Sequence, residues 1–158
     1  ISVSKITKVV PDFHSRFDAK SKLYRYTILN RAYPSALLRN RVYFYTYPLN
    51  IKLMQEEARV LLGRHNFKSF QASGSAERNP VKTIKKLKII KDKDLIYIDI
   101  EADGFLYKMA RNIVGTLIEI GRKKFKIGEL KKILLGVDRR LAGPTAPSHG
   151  LCLLRVNY

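Results

Sequence analysis

Cysteine occurs once in these 158 residues, and acidic side chains are scarce, with 13 Asp and Glu against 31 Lys and Arg. The lone Cys152 excludes an internal disulfide and cannot build a Cys-rich zinc site. A reducing, cytoplasmic home is the expectation. No run approaches the roughly 20 apolar residues of a membrane-spanning helix. There is no signal peptide, and the chain opens on Ile1 rather than Met, so it reads as a piece of a longer protein. A Gly-rich phosphate loop is missing, since Gly63-Arg64-His65 follows an expected helix instead of opening one. No nucleophile elbow is present. His14, His65 and His149 are far apart and lack ligand spacing, which speaks against a metal site. Repeats, low-complexity runs and long Gly/Ser/Pro linkers are also absent, so one domain over residues 1–158 is the simplest partition.

What remains is charge and a core. The balance is +18, with a pI near 10.2. Lys-rich thermophile surfaces usually balance their Lys with Glu. Here that balance is missing, so the charge reads as a footprint for a polyanion, with nucleic acid the leading partner. An acidic membrane surface fits less well, because no basic amphipathic helix is flanked by exposed aromatics. Hydrophobic residues make up 46%, enough for a core.

Several elements follow from periodicity. Ile6 to Val10 is predicted as a short strand, closed by Pro11-Asp12, and Leu23 to Leu29 as a longer one. Val42 to Tyr47 is short and aromatic, extended in character, and ends at Pro48. Asn50 caps a predicted helix to Leu62, stopped by Gly63, with Ile51, Met54, Ala58, Leu61 and Leu62 on one face. Residues 67–83 read as loop, punctuated by Ser73-Gly74-Ser75 and Asn79-Pro80. Ile84–Ile90 and Leu95–Ala102 form a hairpin, with Ile96, Ile98 and Ile100 sharing one face. Phe105 to Ile120 is a nearly all-apolar helix. Ile127 to Leu135 is another, burying Ile127, Leu130, Ile133 and Leu134. A Pro-rich loop over 142–147 feeds a last strand, Leu151 to Tyr158, in which Cys152 reads as a small core residue. The predicted class is α+β, a mostly antiparallel sheet packed on helices.

Three segments resist a purely structural account. Phe13 to Ala19 with Lys22 to Tyr26 interleaves basic and aromatic residues. That pattern suits phosphate contacts and base stacking, and equally a strand whose tyrosines pack a core. On the Phe105–Ile120 helix, Lys108, Asn112, Gly115, Thr116 and Glu119 form a narrow polar strip, and Arg111 lies at its flank among apolar neighbours. A partly buried Arg wants a carboxylate partner; the alternative is that it snorkels to solvent. Gly115 costs the helix about 1 kcal/mol relative to Ala, for close approach of another backbone or for helix packing. The third segment, Ala142 to Leu151, reads alone only as a stiff turn.

At these segments the chain resembles the TruA family of tRNA pseudouridine synthases. His14, Arg16, Phe17, Ala19, Tyr24 and Tyr26 match its H-x-R-F-x-A and Y-x-Y pattern. Phe67–Phe70, Ala72-Ser73-Gly74 and Pro80–Ile84 resemble its central loop. Gly104–Tyr107, Met109 and Arg111–Leu117 resemble its signature helix, and Thr145-Ala146-Pro147 with Gly150-Leu151 its last loop and strand. The resemblance implies a pseudouridine synthase-like fold and isomerisation of uridines in the anticodon stem-loop of tRNAs. It also implies a homodimer and no metal or organic cofactor. The target nucleotide is flipped out of its stack, and an Asp is the essential carboxylate. Tyr24 then sits against the flipped base and assists a proton transfer, and Arg111 pairs with the Asp. The family's G-R-T-D-x-G-V-H segment, which carries that Asp, is not in these residues, so the 158-residue chain alone is expected to be inactive. Arg16, Lys22, Arg25, Arg78, Lys82 and Lys108 are candidate phosphate contacts, each also readable as a solvated charge. A non-enzymatic RNA-binding module explains the charge but has no use for Arg111 on an apolar helix. A DNA-binding domain lacks a recognition-helix pattern.

Overall fold

Ser21–Asn30, with its β-branched and aromatic alternation, becomes the central strand β1 of a six-stranded sheet. The computed structural model describes residues 2–3, 5–74 and 79–158. One edge of β1 pairs antiparallel with β5, Leu95–Ala102. The other edge is shared: β6, Leu151–Asn157, runs antiparallel along residues 21–26, and the short β2, Tyr43–Tyr45, runs parallel beside residues 28–30. Beyond β5 lie β4, Val81–Asp92, and β3, Gly63–Asn66. All pairings except β1–β2 are antiparallel, in line with the sequence expectation of an α+β fold.

Helix α1, Ile51–Ala58, starts where Asn50 Oδ1 accepts the Leu53 N–H at 3.0 Å, a bond typical of N-caps. A 3₁₀ turn, Arg59–Leu61, extends it. Helices α2, Met109–Gly121, and α3, Glu129–Gly136, complete the set. Alternation along β1 and β5 places Tyr24, Tyr26 and Ile28 opposite Ile100, Ile98 and Ile96 on one face. That face joins Met54, Met109, Ile113, Val114, Leu117, Leu130 and Ile133 in a single apolar cluster. Burial of each such side chain stabilises by about 1.5–3 kcal/mol, so this seam holds the helices to the sheet. The opposite sheet face carries Arg25, Tyr97, Asp99 and Glu101.

Several local expectations fail. Residues 5–10 form no strand, and Ile6 is 88% exposed. Among the described residues no strand of the sheet pairs with them, so they lack the ladder that would hold an extended segment. Helix α2 starts at Met109 rather than Phe105, because Lys108 adopts φ 58°, a left-handed conformation no α-helix interior accepts. Ile127 is 81% exposed and lies ahead of α3, which begins only after Gly128 at φ 81°. Leu62 is exposed past the 3₁₀ turn. Cys152 is exposed, not a core residue, since β6 runs along the sheet margin where most of its side chains meet solvent. The stretch expected as loop contains the Lys68–Phe70 3₁₀ turn and the start of β4, and β3 was not anticipated. Ser75 and Arg78 lie outside the described residues.

Candidate functional site

Three members of the polar strip, Asn112, Gly115 and Thr116, form a docking seam for residues 143–145. Asn112 and Thr116 are fully buried. Thr116 Oγ1 donates to Asn112 O at 2.7 Å and accepts the Gly143 N–H at 3.0 Å. Asn112 Nδ2 donates to Phe70 O at 2.7 Å, while its Oδ1 accepts from Thr145 Oγ1 at 2.6 Å. Backbone meets backbone here: a Cβ on Gly115 would lie 1.7 Å from Pro144 O, and one on Gly143 would lie 2.8 Å from Thr116 Cα. Of the two reasons for Gly115, close approach of another chain segment is therefore the one realised.

Loop 142–147, pinned this way, presents carbonyls to two side chains, those of Arg111 and Tyr26. Arg111 is half-buried, and its Nε donates to Ala146 O at 2.7 Å; the Ala146 N–H returns to Arg111 O at 3.2 Å. Tyr26, almost wholly buried, donates its hydroxyl to Pro147 O at 2.7 Å. Burial pushes the Tyr26 phenol well above its ordinary range, an effect the nearby Arg111 charge partly offsets. Arg111 does not simply snorkel, since its Nε is held at Ala146 O, and among the described residues no carboxylate lies within ion-pair distance of it.

Tyr24 lies two residues along β1 from Tyr26, on the same face. Its ring stands edge-on to Phe105, centroids 4.9 Å apart at 90°. Arg111, within electrostatic reach of Tyr26, and Tyr24 thus occupy the same helix-covered side of the sheet, brought together from positions 87 apart in sequence numbering.

The candidate phosphate contacts scatter. Lys22 shares the face of Tyr24. Arg16 is exposed on a turn closed by His14 and Asp18, with its guanidinium 5.7 Å from the Phe17 ring centre. Lys108 is exposed at the start of α2, its Nζ 5.0 Å from the Tyr107 ring centre. Lys82 lies against Gly104, in a cleft with Arg64 and Asp103. Arg25 turns to the other sheet face and grips Asp99 through two bonds of 2.7 and 2.8 Å while lying over Tyr97. The Asp99 hydrogen bond raises the Arg25 pKa. Arg78 is outside the described residues. Sequence reasoning missed Arg139, whose guanidinium enters the seam at Asn112 Oδ1 and Thr145 Oγ1, 3.2 Å each. Nothing in Asp138-Arg139-Arg140 marks the middle residue as the inward one.

A family model described as tRNA pseudouridine synthase matches residues 58–158. The chain is 45% identical over 151 residues to a protein of Clostridium acetobutylicum named tRNA pseudouridine synthase A, covering 96% of this chain and 62% of that relative. Like-named proteins of Thermoanaerobacter pseudethanolicus and Acetivibrio thermocellus are 45% and 42% identical over all 158 residues, which cover 65% of each relative. The chain thus spans a little under two thirds of the length of these curated relatives.

Proposed function

The chain belongs to the tRNA pseudouridine synthase family, and from that premise we propose that it is the part of such an enzyme that seats the target uridine and orients the catalytic carboxylate. In this reading the enzyme isomerises uridines of the tRNA anticodon stem-loop and works as a cytoplasmic homodimer. The bond from N1 to C1′ breaks, C5 bonds to C1′, the C5 proton leaves and N1 gains one, so the change is redox-neutral. The carboxylate comes from a G-R-T-D segment that these 158 residues do not contain.

One observation carries this reading. Arg111 is half-buried on an apolar helix, held by a single bond from Nε to a carbonyl, and no acid among the described residues pairs with it. A half-buried guanidinium without an acid is a costly arrangement, and it is matched when a carboxylate docks against its terminal nitrogens. The same charge keeps that carboxylate ionised and ready to attack. Tyr24, braced by Phe105, offers the flipped uracil a ring surface. Lys22, Lys82, Lys108 and Arg16 supply phosphate contacts, with Arg78 added by sequence position. Arg25, its charge already matched by Asp99, stands outside this set.

Tritium release from tRNA labelled at uridine C5 tests the proposal. In the full-length enzyme, Arg111→Ala and Tyr24→Phe should cut turnover far more than tRNA binding, and the 158-residue chain alone should release none. Turnover by the 158 residues, or losses that track binding alone, would overturn it.

A further inference from the structure

Arg139 and Arg140 are adjacent, yet they have opposite fates. Arg140 is exposed and chelates Asp138, Nη2 to Oδ2 at 2.7 Å. Arg139 turns inward with no acid partner among the described residues. Its Nη2 donates to Asn112 Oδ1 and Thr145 Oγ1, both at 3.2 Å, and its Nη1 to Ala142 O at 3.3 Å. Burial lowers its pKa, with no opposing acid. Bonds to neutral acceptors are weaker than an ion pair, so the fold tolerates a poorly compensated cation here. Its contacts fall at both ends of one short segment, Ala142 and Thr145. The next two carbonyls in that segment, of Ala146 and Pro147, hold Arg111 and Tyr26. Asn112, the side chain through which Arg139 reaches α2, is the immediate neighbour of Arg111.

We propose that Arg139 is a positioning residue: it clamps loop 142–147 onto α2 so that Ala146 O aims the Arg111 guanidinium at the reacting carboxylate beside Tyr24. This rests on the functional reading above. Arg139 itself touches neither RNA nor the reacting atoms.

The test uses the full-length enzyme and labelled tRNA, comparing Arg139→Met and Arg139→Lys, with Arg140→Met as control. Misaiming a reacting group by about an ångström costs on the order of 100-fold. Arg139→Met should therefore lower kcat about 10- to 100-fold with KM for tRNA within about twofold. Arg139→Lys, which keeps the charge but not the fork, should recover part of the loss, and Arg140→Met should match wild type. In an Arg111→Lys background, Arg139→Met should add less than about a twofold loss, because it acts through Arg111. If Arg139→Met does not fold, Thr145→Val breaks the same node from the loop side and carries the same expectation. A raised KM with kcat preserved, multiplying losses in the double variant, or an unchanged kcat would each overturn the proposal. A wild-type enzyme that releases no tritium would sink the functional reading itself; an active wild type with indifferent Arg139 variants sinks only this inference.

Discussion

Arg25, on the outer face of the sheet, grips Asp99 with both arms and lies over Tyr97, whereas Arg111, on the helix side, holds one carbonyl and meets no acid among the described residues. Arg25 was singled out because basic and aromatic residues interleave around it, and Arg111 because it lies at the flank of a polar strip on an apolar helix. The first charge is matched within the fold and serves stability. The second has no acid among the described residues and, in the proposed reading, is left available to a docking carboxylate. What separates them is the element across the way: β5 offers Arg25 a carboxylate in direct register, while loop 142–147 offers Arg111 only its backbone.

The largest effect that can break this comparison is on turnover. In the full-length enzyme Arg111→Ala should lower kcat on the order of 100- to 1,000-fold, the cost of removing one preorganised charge, while Arg25→Ala leaves it within a few-fold. Tritium release at saturating tRNA measures both, and equal losses would erase the distinction. Next is Gly115→Ala. Within an isolated helix the change would stabilise by about 1 kcal/mol, but here the added methyl meets Pro144 O. A net loss of about 1–3 kcal/mol is expected from overpacking, read as a lowered Tm together with lost turnover as the loop lifts. Arg25→Met should cost about 1–3 kcal/mol, because Asp99, only 8% exposed, is left without its partner. Urea unfolding reads this, and turnover should be little changed.

The smallest effect is on pH dependence. Burial raises the Tyr26 phenol, and to a lesser extent Tyr43 and Tyr45. Above about pH 10, where an unfolded phenol ionises, the unfolded chain releases protons that the native chain keeps. Stability therefore falls as pH rises through that range. Tyr26→Phe should make this decline shallower without abolishing it, at a cost of about 1 kcal/mol for the lost bond to Pro147. Urea midpoints between about pH 8 and pH 11 check it; an unchanged slope would place the alkaline loss elsewhere.

Much of the sheet was legible in advance. The alternation along Leu23 to Leu29, and of Ile96, Ile98 and Ile100, gave both strands and one face of the second; that Tyr24, Tyr26 and Ile28 share that face is decided by the register of β1 on β5. Asn50 marked the start of α1 through its own side chain. Boundaries failed where one residue's backbone overruled a favourable pattern, as Lys108 did at α2. The run from Ile6 to Val10 has strand composition, yet composition supplies no neighbouring strand. In the candidate site, Arg111 and Tyr24 could be picked out, but Arg139 could not, because its inward turn depends on Thr145 and Asn112, six and 27 positions away.

The sequence by itself determined which residues alternate or recur at helical spacing, that the surface is strongly cationic, and that an arginine sits on an apolar helix, because these are properties of neighbours along the chain. Only the tertiary structure decided which arginine meets an acid, which meets a carbonyl, why Gly115 has no room for a methyl, and that Cys152 faces solvent. Those outcomes depend on what packs across a strand edge or helix face, and periodicity encodes the face a side chain takes without naming what lies opposite it.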